Sequence, residues 1–267
     1  MAKKKKTSQQ DDNITNQILG LFTFAFLLIV GLMATYRGYS RIDTVESTIK
    51  TVYGFTVFAA VLAVAGLVWE YLSQKSGKDM RYKVVRGRNL AAVSAFAAVC
   101  SLIAARFFIE GIKALYVIVP TGVVLVLIYM IYSAEFFTIA AATSMSGLLM
   151  WHLSRSYYIQ PLKEIKLSNL VGDYSFYAAV LLMALLIAAA LLVRSASKHD
   201  GALMISGRPR KLFNTHANYP LIYISMTISF LSTVAALILG AAVAYYLIFL
   251  TFGYLFIVAV YYTVKLM

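Results

Sequence analysis

The sequence predicts an all-α integral membrane protein, a polytopic bundle of about eight transmembrane helices. Three observations carry that reading. Of 267 residues, 61% are hydrophobic and 13% charged, and mean hydropathy is +0.78. A soluble domain carries about 25% charged residues, so this chain lacks the polar coat that water requires. Apolar runs of about 20 residues recur along the chain, which is the helix length that a bilayer core demands. Basic residues gather in alternate connections, the mark of cytoplasmic loops.

Residues 1–13, MAKKKKTSQQDDN, are polar and are expected to form a disordered cytoplasmic tail. The run 16–36 is read as a retained first helix rather than a signal peptide. It is followed by ATYRGY, with no small-x-small cleavage site. Further spans are expected at 51–72, 89–109, 112–132, 134–152, 174–193, 219–239 and 242–264. Lys3 to Lys6 precede the first span. Lys75, Lys78, Arg81, Lys83, Arg86 and Arg88 follow the second, and Arg194, Lys198, Arg208, Arg210 and Lys211 follow the sixth. With eight alternating spans all three clusters share one side. The positive-inside rule then puts both termini in the cytoplasm and the chain in the plasma membrane. The net charge of +13 is thereby assigned to loops facing anionic headgroups, not to nucleic acid. Arg86, Arg88, Arg208, Arg210 and Lys211 are the candidate contacts to anionic lipid or to a partner.

FAAVL at 58–62 and YAAVL at 177–181 raise the question of duplication. At a shift of 119, Val52, Thr56 and Phe58 face Val171, Ser175 and Tyr177. At a shift of 131, Ser94, Ser101, Ala105 and Gly122 face Ser225, Ser232, Ala236 and Gly253. The expected organisation is two parallel four-helix repeats, 14–133 and 134–267.

Small and hydroxyl residues mark particular helix faces. Ser225, Ser229, Ser232, Ala236 and Gly240 recur at spacings of three and four, as do Ser94, Ala98, Ser101 and Ala105. Thr143, Ser144, Ser146 and Gly147 lie close together in the fifth span. Such faces make tight helix–helix seams or line a weakly polar pathway. Pro120 interrupts the hydrogen-bond ladder of the fourth span and is a second pathway signal. The candidate pathway or seam is thus Ser94, Ser101, Pro120, Thr143, Ser146, Ser225, Ser229 and Ser232. Charges avoid the span centres: Glu70, Arg106, Glu110 and Glu135 all fall near span ends, where their cost is low. Tyr36, Tyr39, Trp69, Tyr71, Trp151, Tyr157 and Tyr158 also cluster at span ends, as an aromatic belt does.

Enzymatic signals are weak. The chain has no GxGxxG, GxxxxGK[ST] or HExxH motif. Ser144-Met145-Ser146-Gly147 resembles the GxSG nucleophile motif of rhomboid intramembrane proteases. The first position departs from it, however, and the later histidines, His199 and His216, fall in a loop. The single cysteine, Cys100, permits no internal disulfide. No enzyme activity, metal or cofactor is expected. The reading is a permease-like protein moving a small neutral or lipophilic solute, or lipid, without a buried carboxylate. The alternative is a non-catalytic membrane subunit that anchors or regulates a partner complex, with a membrane-protein partner or a second copy of the chain. An intramembrane enzyme ranks last.

Overall fold

The computed structural model describes residues 2–75, 87–158, 174–199, 201–205, 208–214 and 217–266. The elements are α1 (Ala2–Tyr39), a 3-10 turn (Ile42–Thr44), α2 (Val45–Lys75), α3 (Gly87–Ile131), α4 (Ala134–Tyr158) and α5 (Tyr174–Lys198). A short hairpin of β1 (Ala202–Ile205) and β2 (Arg208–Lys211) follows, then α6 (Tyr219–Leu239) and α7 (Ala241–Leu266). Seven helices among the described residues are long and apolar enough to cross a membrane. The protein is therefore a multi-pass, helical membrane protein. The backbone of α1 is helical from Ala2. Ala, Lys and Gln are strong helix formers, and no glycine or proline precedes Gly20.

The chain separates into two compact units, Met1–Val123 and Val124–Met267. The division lies ten residues before the boundary expected from the sequence, inside α3. In the first unit, α1 and α2 are joined by a tight turn. Thr48 leaves no room for a side chain at Gly38, and Thr44 Oγ1 donates to the Gly38 carbonyl at 2.9 Å. α2 and the start of α3 approach closely: a Cβ on Gly66 would stand 2.8 Å from the Ala91 nitrogen and 2.9 Å from the Gly87 oxygen. Farther along, Thr56 Oγ1 donates to Ser101 Oγ at 2.9 Å.

α3 is not one straight rod. Phe108 has φ 49° and ψ −131°, a non-glycine residue in a strained region that costs about 1–3 kcal/mol. A Cβ on Gly111 would lie 2.6 Å from the Ile103 oxygen, and one on Gly122 would lie 3.8 Å from the Phe96 ring. In a continuous helix those pairs would be about 12 and 39 Å apart along the axis. The two halves of α3 therefore run back alongside each other. Arg106, Glu110 and Lys113 gather around the bend, and Lys113 pairs with Glu110 at 2.6 Å. Tyr39 packs edge-on to Phe108, with ring centroids 5.6 Å apart. Leu32, Tyr39, Val52, Cys100, Ala104, Ile112, Leu115 and Val119 form the core of this unit.

The second unit is an antiparallel four-helix bundle with a core at each end. One joins Phe136 and Ile139, Val193 and Ala196, Ile222 and Met226, and Val258 and Tyr262. The other joins Met150 and Leu153, Ala179 and Leu182, Ala236 and Ala244. α4 is the central helix: 61% of its most apolar stretch is buried, against 11–39% in the other six spans. α6 begins with an Asn218 cap that accepts from the Leu221 N–H, with Pro220 in its first turn. It ends at Gly240, whose φ of 85° suits glycine alone among common residues. That residue turns the chain directly into α7.

Substituting Gly66→Val should destabilise the folded protein by about 1–3 kcal/mol, because the added side chain meets backbone that cannot move aside. Gly54→Ala, where a Cβ meets nothing within 4 Å, should leave thermal unfolding in detergent unchanged or slightly raised.

Candidate functional site

Polar side chains of the second unit concentrate on the surfaces where α4, α6 and α7 meet, in two layers. The middle layer contains hydroxyls. Thr143, Ser146, Ser225, Ser229, Ser232 and Thr233 are all buried. Ser146 on α4 reaches the Ser229 carbonyl and Thr233 Oγ1 on α6, each at 3.1 Å. Thr233 Oγ1 also donates to the Ser229 carbonyl at 2.8 Å. Two hydroxyl protons thus serve three contacts around one carbonyl. Thr143 bonds back to Ile139 and Ala140 on its own helix. Ser225 donates to the Leu221 carbonyl at 2.7 Å, so its 2.6 Å contact with Tyr254 has the phenol as donor. Ser229 Oγ is fully buried and has no hydrogen-bond partner among the described residues.

Small side chains explain this closeness. Serine and alanine at spacings of three and four on α6 remove bulk from one face, and α4 lies against it. Gly147 sits opposite the Phe252 ring, 3.4 Å from where its Cβ would be. Ser146 Oγ, the residue in the rhomboid-like motif, spends its hydrogen bonds on α6 groups. Its surroundings are those of a packing hydroxyl.

The second layer lies at the end of the bundle where α4 and α6 begin and α7 finishes. Its centre is Glu135, which is only 3% exposed. This corrects the expectation that the chain lacks a buried carboxylate: Glu135 lies near a helix end, as the sequence reading has it, but the protein covers it there. Its Oε2 accepts from the Asn218 backbone N–H at 3.2 Å and the Tyr262 hydroxyl at 3.1 Å, with Lys265 Nζ at 3.8 Å. Phe136 stacks on Tyr262 with ring centroids 5.2 Å apart. Nearby, Tyr132 and Thr263 hydroxyls meet at 3.1 Å. A buried carboxylate needs such donors, because an unpaired charge there is very costly. Sequence reasoning missed Glu135 because its partners lie 83 and 127 positions away. The one local signal is an acid directly beside the aromatic pair Phe136-Phe137.

The remaining candidates lie elsewhere. Ser94 and Ser101 are buried in the first unit, and Ser101 joins Thr56 as described. Pro120 is exposed in the second half of α3, whose one residue with non-helical dihedrals is Phe108. Arg86 lies outside the described residues, as do the side chains of Arg88, Arg208, Arg210 and Lys211. Among the described residues, no group of three or more His, Cys, Asp or Glu could hold a metal ion. Comparison with protein-family models, curated proteins and solved structures finds no match.

Ser146→Ala should cost about 1 kcal/mol, the scale of an interhelical hydrogen bond in a membrane protein. Ser229→Leu forces a large side chain into a fully buried site and should cost about 1–3 kcal/mol or more, read as lost monodisperse protein on size-exclusion chromatography. If Ser229→Leu instead left folding intact, the seam would not be as tightly closed as its burial indicates.

Proposed function

We propose that this protein is an eight-crossing membrane protein that acts as a non-catalytic subunit, holding or regulating a partner complex in the plasma membrane. One observation carries the choice over a permease. The hydroxyl seam of α4 and α6, the natural place for a polar pathway, is closed: Ser225 and Ser229 are 0% exposed and Ser232 5%. Its hydroxyls are mostly bound to carbonyls and to one another, which is how a seam holds helices together. The eight crossings rest on the fold-back of α3 at Phe108. Each half of α3 holds more than 20 residues, enough to span hydrocarbon. The two units then contribute four crossings each. That count agrees with the parallel-repeat reading of 14–133 and 134–267.

The permease reading keeps one specific support. A carboxylate buried in a membrane bundle is a functional site by default, and Glu135 is such a group. In that reading the closed seam is an occluded state, and the solute is small and neutral or lipophilic. The bilayer, with its anionic headgroups, is the partner in either case.

Two measurements test the proposal. Reporters fused separately to each terminus should both signal from the cytoplasm, since an even number of crossings returns the chain to its starting side. Reporters on opposite sides would mean seven crossings and would remove the basis for four helices per unit. Affinity purification from native membranes should yield a protein at fixed stoichiometry that loses its membrane retention when this chain is deleted. Recovery of the chain alone with a bound small molecule would overturn the subunit reading in favour of the permease.

A further inference from the structure

Three donors from two helices converge on a single carboxylate oxygen carried by a third. Glu135 enters from the first turn of α4. Asn218 offers its backbone N–H from the cap of α6. Tyr262 and Lys265, three residues apart on α7, point the same way. The three donors are not equivalent. Asn218 and Tyr262 are neutral, and Tyr262 is held by its stacked ring on Phe136. Lys265 is charged and lies at a loose 3.8 Å. Its side chain is 45% exposed, whereas that of Glu135 is 4% exposed. Its ammonium also stands 5.6 Å from the Tyr262 ring centroid. The anion is fixed and the cation stands at the edge of water.

We propose that Glu135, Tyr262 and Lys265 form a latch that holds the last turn of α7 against the starts of α4 and α6, and that Lys265 is its exchangeable member. The competing anion is the phosphate of an anionic lipid headgroup. The lysine stem is long enough to turn from a buried carboxylate to the headgroup layer beside the end of its own helix. When Lys265 leaves, Asn218 and Tyr262 still hold Glu135, so the bundle stays folded while the end of α7 loosens. The last turn of α7 would thus report the charge of the surrounding leaflet.

The experiment is hydrogen–deuterium exchange on the full-length protein in nanodiscs, followed at residues 254–266. One disc contains phosphatidylcholine alone and the other contains a third phosphatidylglycerol. Wild-type protein should exchange several-fold faster at the end of α7 in the anionic disc, with no change around Ala236 and Ala244 at the opposite end. Lys265→Met should exchange equally fast in both discs, and faster than wild type in phosphatidylcholine. Glu135→Gln should match Lys265→Met. Should that variant fail to fold, Tyr262→Phe keeps the ring stack, weakens the hold on Glu135 and should raise exchange in both discs. Identical wild-type exchange in the two discs would overturn the proposal. So would a lipid response in Lys265→Met as large as that of wild type.

Discussion

The constraint on which this structure depends is the absence of water as a hydrogen-bonding partner. Inside hydrocarbon every backbone N–H and carbonyl must be paired within the protein, which leaves the helix as the element open to a chain of this composition. Side-chain hydroxyls obey the same constraint. Thr23, Thr35, Thr51, Thr121, Thr138 and Thr263 each donate to the carbonyl four residues earlier. That back-bond satisfies the hydroxyl without a second helix. In these threonines the hydroxyl proton is committed to the helix that carries it.

Against that background the few hydroxyls that reach across helices are the informative ones. Lipid tails are as apolar as leucine, so apolar side chains gain little by leaving lipid for another helix. Close packing and interhelical hydrogen bonds have to do the work. Ser146 with Ser229 and Thr233, Thr56 with Ser101, and Ser225 with Tyr254 are such links. They lie where small residues let backbones approach. α4 gathers most of them in the second unit, and it is the least apolar of the seven spans as well as the most buried. A helix surrounded by protein can pair its serines across to a neighbour, as Ser146 does with α6. The outward faces of α2 and α7, by contrast, are a nearly unbroken surface of Val, Leu, Phe and Tyr.

Glu135 shows the limit of the same logic. A carboxylate near a helix end is cheap if it reaches the headgroups. Here the ends of α4, α6 and α7 close over it, and its cost is met by an N–H, a phenol and an ammonium. Asn218 connects the two tasks, capping α6 with its side chain while its own N–H serves Glu135.

The sequence by itself determined the solvent, the element type and most helix positions. Twenty apolar residues in a row have no stable alternative to a membrane helix, so local composition suffices. The span expected at 219–239 coincides with α6, because Asn218, Pro220 and Gly240 mark its ends chemically. α4 and α5 run several residues past the expected spans, because helices continue into the headgroup zone where hydropathy no longer marks them. Tertiary structure alone decided three things. It set Phe108 as the turning residue of α3, at the break between the spans expected at 89–109 and 112–132, where Gly111 fits beside Ile103. It selected which serines cross between helices, because a hydroxyl facing lipid and one facing a neighbour look the same in sequence. It buried Glu135, since only long-range contacts bring Asn218, Tyr262 and Lys265 to one oxygen.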